Sequence, residues 1–197
     1  MGLTLVTAPT AEPLTLAEAK LHLRLDSDVE IDRVGDLIVS AREDLDGPAG
    51  WLGRAIMPQT WDLTVDRFPD RCGMMNFTPQ LGDLSIEIPL PPLQSVTSIG
   101  YIDQNGDAQT LATTVYRVVA DSLPGKVILR QNQSWPLTIR EPAAVTIRFV
   151  AGYAKVPQKI RSLMLEMIGW RFANREGGDL PQSVMDQVSA LKTRFVS

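Results

Sequence analysis

The stretch AAVTIRFVAGYAKVPQKIRSLMLEMIGWRFANRE, residues 143–176, decides the fold because its period changes part-way. Val145, Ile147 and Phe149 recur at every second position, which predicts a strand with one face on a core. Pro157 suits the first turn of a helix, and a helical stripe of apolar residues follows it. That stripe comprises Ile160, Leu163, Met164, Met167 and Phe172. One short link therefore joins a β module to a helical module, and we predict an α+β chain.

Two further helices are predicted upstream, after an extended lead over residues 1–13. Thr15 and Glu18 have the spacing of a capping box, in which the two residues close the first helical turn reciprocally. Ser27 and Glu30 repeat that spacing before the second helix. The second helix is predicted from an apolar stripe at helical spacing, formed by Ile31, Val34, Ile38, Ala41 and Leu45.

The chain from Thr60 to Phe149 is predicted to consist of strands and turns. Asn105-Gly106 between two alternating runs is a strong hairpin signal. A final helix is predicted over 179–196, after the glycine pair Gly177-Gly178. The expected architecture is a helical body of about four helices with an inserted antiparallel β domain. Its predicted parts are an N-terminal helical part (1–55), the β domain (56–152) and C-terminal helices that complete the body and reach a partner (153–197).

Composition narrows the range of functions. The 197 residues are 44% apolar and 21% charged, as in an ordinary globular protein, and the net charge is −4. An acidic chain argues against a surface whose main task is to grip nucleic acid. The single cysteine, Cys72, cannot form an internal disulfide, so we expect a reducing cytoplasm as the place of synthesis. No apolar run is long enough for a membrane helix, and we expect no membrane partner.

Residues that carry catalysis or bind metals are scarce. His22 is the only histidine and Cys72 the only cysteine, so a zinc site or a histidine-based triad is not expected. The sequence has no nucleotide-binding glycine loop. We therefore predict no catalytic residues, no metal and no cofactor. A small carboxylate-dependent enzyme stays open as an alternative, and it would need two acidic residues that converge with perturbed pKa values.

Many short motifs together resemble those of the head–tail adaptor (connector) proteins of long-tailed phages, prophages and gene transfer agents. Their order and spacing carry the resemblance over roughly residues 14–176, while residues 46–50 depart from the pattern. The motifs are Leu14–Lys20, Ala41–Glu43, Gly53-Arg54, Gln59–Trp61, Phe68-Pro69, Ile88–Pro92, Ser95–Ile99, Tyr101–Asp103, Gly106, Tyr116–Val118, Trp135-Pro136, Ala151–Tyr153, Val156-Pro157, Ile160 and Arg175-Glu176.

The resemblance implies a structural protein of the virion and not an enzyme. Such adaptors form a ring, usually of about twelve copies, which sits beneath the portal and extends the DNA channel. The implied partners are further copies of the chain, the portal and a stopper or tail protein, and DNA passes through the lumen without specific binding. A stopper or tail-terminator role in the same assembly stays open.

Three sets of residues are assigned to assembly. The apolar stripe of the second helix is expected at the subunit interface, through Ile31, Val34, Ile38 and Leu45. The acidic residues Asp28, Asp32 and Asp36 are expected to line the channel, with a solvated outer face as the alternative. The final helix follows a glycine hinge and is expected to bind the portal, with packing on its own core as the alternative. Its portal-binding residues would be Val184, Val188, Leu191, Lys192, Arg194 and Phe195.

Overall fold

The computed structural model describes residues 1–26, 30–69 and 84–192. Within these ranges the chain has four helices and two antiparallel sheets, which confirms the predicted α+β class. Two compact units are present. The β unit comprises 1–8 and 59–152, and the helical unit comprises 9–58 and 153–197. The chain therefore passes from one unit to the other three times.

The β unit contains two sheets. In chain order its strands are β1 (Gly2–Thr7), β2 (Gln59–Val65), β3 (Ile86–Ile88), β4 (Leu93–Ile102), β5 (Ala108–Thr110), β6 (Tyr116–Val119), β7 (Gly125–Leu129) and β8 (Val145–Ala151). The larger sheet has the order β1-β2-β8-β4-β5 and the smaller one β3-β7-β6. Every neighbouring pair is antiparallel.

The core of the β unit comes from the alternation that the sequence predicts. On β2, Trp61 and Leu63 are buried, and on β8 the partners of these two residues, Phe149 and Ile147, are fully buried. The hairpin at Asn105-Gly106 is confirmed, because β4 pairs with β5 across it. Gly106 has a φ of 90°, a conformation that glycine adopts without strain.

Strand β1 is the element that the sequence analysis missed. Residues 1–55 were assigned to the helical part, whereas Gly2–Thr7 pairs with β2 and belongs to the β unit. The strand signal is weak because only Leu3 is partly covered and the other residues of β1 are exposed, so neither face is strongly apolar. The alternation of Leu3 and Leu5 with Thr4 was the available clue.

The helical unit contains α1 (Leu16–Leu23), α2 (Ile31–Leu45), α3 (Gln158–Ala173) and α4 (Gln182–Leu191). The capping box of α1 is confirmed by reciprocal hydrogen bonds between Thr15 and Glu18. The second capping-box spacing begins at Ser27, outside the described residues, and Glu30 caps α2 without a side-chain hydrogen bond. Pro157 and Pro181 are extended and precede α3 and α4 as N-cap residues, one position before the first turn.

One apolar cluster holds the four helices together. It contains the predicted stripes of α2 and α3 apart from Ile31, which is half-buried and not part of the cluster, and it also takes in the buried side of α4. Its fully or nearly fully buried members are Leu14, Ala19, Val34, Ile38, Ala41, Leu45, Leu52, Ile56, Ile160, Leu163, Met164, Met167, Ile168, Val184 and Val188.

Candidate assembly surfaces

The residues predicted at the subunit interface lie inside a single copy. Val34 and Leu45 are fully buried and Ile38 is 3% exposed, all within the core of the helical unit, while Ile31 is half-buried at the start of α2. The assignment is corrected for the three buried residues, because a side chain already covered by its own unit has no surface left for a neighbouring subunit. An apolar stripe read from sequence indicates burial but does not say which molecule provides the cover.

Some of the predicted portal-binding residues are also buried within their own unit, and others are not. Val184 and Val188 are each 4% exposed and belong to the core cluster, so the alternative of packing on the chain's own unit describes these two residues. Leu191 is half-buried and Lys192 is exposed. Arg194 and Phe195 lie outside the described residues. The exposed side of α4, and not its apolar side, is the surface that this conformation offers to a partner.

The acidic residues of α2 lie on its exposed side. Asp32 and Asp36 are both exposed and stand one helical turn apart, facing away from the buried stripe. Val39 and Glu43 continue this exposed ridge along the helix. Asp28 lies outside the described residues. The ridge can therefore line a channel or face the outside of an assembly without a change in the fold of the subunit.

The Arg54 side chain holds the end of α4, and the turn that precedes Arg54 in the chain positions this side chain. Helix α2 ends at Leu45, and the Asp46 carboxylate then accepts a hydrogen bond of 2.8 Å from the backbone N–H of Ile56. This closed turn, which includes the residues 46–50 that depart from the adaptor pattern, presents Arg54 to α4. The Arg54 guanidinium donates to the Leu191 carbonyl at 2.8 Å and to the Tyr153 hydroxyl at 2.5 Å.

The Leu191 carbonyl is in the last turn of α4, where helical carbonyls lack partners and a positive charge is favourable. Sequence reasoning had noted Arg54 and Tyr153 only as motif residues of the resemblance. Their position beside turn glycines, Gly53 and Gly152, was the signal that they have a fixed structural task.

Ion pairs between helices surround the helical core. Glu18 on α1 pairs with Arg161 on α3, and Asp44 on α2 pairs with Arg171 on α3. Hydrogen bonds from Thr15 hold the pKa of Glu18 below its ordinary value, and Arg161 adds to this effect. These pairs fix which faces of the helices meet, since a shifted helix would separate the charges.

Two arginines also flank one aromatic ring near the start of α2. The guanidinium carbons of Arg33 and Arg175 lie 5.0 and 5.7 Å from the centroid of the Phe172 ring. Glu30 accepts a hydrogen bond of 2.5 Å from Arg175. Cation–π contacts and the ion pair together anchor the end of α3 to the start of α2.

The carboxyl groups of Glu18, Asp62 and Asp103 have lowered pKa values. Each carboxylate accepts hydrogen bonds from a different partner: Glu18 from Thr15, Asp62 from Arg148, and Asp103 from the backbone N–H of Asp107. A general acid needs a raised pKa, so these groups give the carboxylate-enzyme alternative no support. No group of three metal-binding side chains occurs within 1–26, 30–69 and 84–192.

None of the helices in the described parts of the chain is long and apolar enough to cross a membrane. No protein-family model matches the chain, and no curated protein matches it.

Solved structures do match, along the whole chain. A chain from the neck of an empty gene transfer agent particle, computed with C6 symmetry, has a TM-score of 0.74 at 20% identity, over 100% of this chain and 98% of that one. With the same coverage, a chain from the neck of the native particle, computed with C12 symmetry, has a TM-score of 0.66 at 19% identity. A chain from the virion of the native particle has a TM-score of 0.66 at 20% identity.

This protein has the fold of those neck chains. The likeness confirms, at the level of the fold, the resemblance drawn from the motifs, and it extends beyond residues 14–176 to both ends of the chain.

Proposed function

We propose that this chain is a head–tail adaptor, a structural subunit of a ring beneath the portal of a phage, prophage or gene transfer agent particle. The observation that carries the proposal is the fold match over the full length of chains from gene transfer agent necks. Those necks were computed with C6 and C12 symmetry, which favours a ring of about twelve copies.

The proposed ring extends the DNA channel from the portal and joins the head to a stopper or tail protein. DNA passes through the lumen without specific binding, which suits a chain with a net charge of −4. Asp32 and Asp36 are proposed to line the lumen, where exposed carboxylates repel the phosphates of DNA. The contacts between subunits come from side chains outside the helical core, since Val34, Ile38 and Leu45 are buried within one copy.

The test combines the chain with the portal of its own particle. Native mass spectrometry should show a complex heavier than the portal by a whole multiple of the chain mass, 21.7 kDa. Electron microscopy of the particle should place the added density directly beneath the portal. Density at the tail side of another ring would instead identify a stopper or tail terminator, and a chain that stays monomeric with the portal and in the particle would overturn the proposal.

A further inference from the structure

Within the described parts of the chain, the larger sheet of the β unit ends at β1. This strand ends the sheet order and pairs only with β2 among the described strands. Gly2–Thr7 contains no charged residue and no proline, and Leu5 and Val6 are each 43% exposed. Proteins usually protect an edge strand with charges, proline, a β-bulge or a covering segment, because its unpaired backbone groups can bind another strand. The only irregularity of β1 in its pairing with β2 lies between Leu5 and Thr7, so Gly2–Leu5 is a regular edge that can accept a partner strand.

The opposite side of the same sheet has a second open edge. Strand β5 pairs with β4 only at Gly100–Ile102. Along Leu93–Ser98, no other strand of the described chain pairs with the side of β4 that faces away from β8. This stretch is also free of charged residues, and Gln94, Ser95 and Thr97 are exposed. The sheet thus has two different uncharged edges on opposite sides, which is what a head-to-tail contact between identical subunits requires.

The strand directions make these two edges compatible. Strands β1, β2, β8 and β4 alternate in direction because each neighbouring pair is antiparallel. Neighbouring copies in a ring of about twelve differ by a rotation of about 30°, so β1 of one copy keeps nearly the direction of β1 in the next. It therefore runs in the opposite sense to β4 of its neighbour. The two strands cross at an angle, because the twist of about 20–25° per strand pair accumulates over the three pairs from β1 to β4.

We infer that β1 of each copy pairs with the open edge of β4, residues 93–98, in the neighbouring copy. The inference rests on the proposed ring and specifies how its subunits meet. The ladder between copies is short, because β1 changes register between Leu5 and Thr7 and β4 is irregular at Gln94 and Thr97. Each contact is accordingly weak, and the closed ring gains stability because many such contacts form together.

One charged residue on the edge should therefore disrupt the ring. The variants are Leu5→Lys and Val6→Lys, and the matched control is Leu123→Lys, since Leu123 is 73% exposed in the same unit but lies in a turn. Native mass spectrometry should show at least a tenfold loss of ring in both edge variants and none in the control. Circular dichroism and thermal unfolding should show an unchanged β unit in all three.

Disulfide trapping tests the pairing itself. In a Cys72→Ser background, Thr4→Cys is combined with Ser95→Cys or with Thr97→Cys, which samples two registers. Oxidation of the assembled ring should give a ladder of covalent multimers on a non-reducing gel in at least one combination, because a disulfide needs Cα atoms within about 7 Å. None of the three single cysteine variants, Thr4→Cys, Ser95→Cys and Thr97→Cys, should give the ladder.

The outcomes separate this inference from the proposed function. If the unmodified chain forms no ring, alone or with its portal, the proposed function fails and the pairing fails with it. If it forms a ring that both lysine variants also form, or if neither cysteine combination gives multimers, only the β1–β4 pairing is overturned.

Discussion

Arg54 shows how one side chain can hold a whole helix. Its guanidinium reaches both the Tyr153 hydroxyl and the Leu191 carbonyl, and its Nε is buried without a hydrogen-bond partner among the described residues. Removing the hydrogen-bond partners of a partly buried charged group costs more folding free energy than removing one partner of a surface ion pair. The position of α4 therefore depends on a residue that the sequence presents only as the second half of a Gly-Arg motif.

Arg54→Met should lower the free energy of unfolding by about 1–3 kcal/mol, because the Leu191 carbonyl loses its charged donor. The matched control is Lys159→Ala, which changes an exposed cation of the same unit and should stay within about 0.5 kcal/mol of the unmodified chain. Urea unfolding gives both values. Equal stability of the two variants would show that Arg54 does not hold α4.

Glu18 makes the helical unit sensitive to acid. Its pKa in the folded chain lies below the ordinary value of 4.5, first because of the hydrogen bonds from Thr15 and then because of Arg161. A lowered folded pKa means that the carboxylate stabilises the fold above pH 4.5 and loses this effect as the pH falls through the folded value. The stability difference between the unmodified chain and Glu18→Gln should be present at pH 7 and shrink in this acidic window. A difference that is constant from pH 7 to pH 3 would contradict the assignment.

Among the helices and strands, the sequence predicted those features that depend on residues close together in the chain, such as apolar spacing, helix caps and turn residues. The stripes of α2 and α3, the capping box of α1 and the hairpin at Asn105-Gly106 are all in the structure. Strand β1 was missed because an edge strand with two largely exposed faces has little apolar pattern. The assembly residues could not be predicted, since Val184 or Ile38 looks the same in a sequence whether its own unit or a neighbouring molecule covers it.

Helix α4 should contribute to stability through its apolar side. Val188→Ala should cost about 2 kcal/mol, from the loss of buried methyl groups and the cavity left behind. The neighbouring control Ser189→Ala should change little, because Ser189 is exposed. Chemical unfolding measures both effects. If Val188→Ala were as stable as the control, α4 would spend much of its time away from the core, and its apolar side would then be free to bind the portal.

For the whole molecule, the proposed channel gives the negative charge of α2 a function, which is to keep DNA from binding to the wall of the lumen. Asp32→Lys combined with Asp36→Lys should lower the free energy of unfolding by about 1–2 kcal/mol and leave the chain folded, because Asp32 lies in the first turn of α2, where the helix dipole favours a negative charge. It should also make the assembled ring bind double-stranded DNA, with an affinity that falls steeply as salt increases. A gel-shift titration at two salt concentrations tests this. The control pair carries the same charge change in the β unit, at Asp107 and Asp121.

If both charge-reversed rings bind DNA equally, α2 has no special position relative to the lumen. If neither binds, Asp32 and Asp36 face away from the path of DNA. Only binding confined to the α2 variant agrees with the proposed channel.

The chain passes between its two units three times, and this affects the order in which the units can fold during synthesis on the ribosome. The strands of the β unit all precede residue 153, whereas the helical core needs α1 and α2, which lie between β1 and β2, and also α3 and α4, which follow the last strand. The β unit can therefore complete its sheets while the apolar sides of α1 and α2 still lack the partners that cover them. During this interval Val34, Ile38 and Leu45 are open to chaperones, and the helical unit closes only when the last quarter of the chain has emerged.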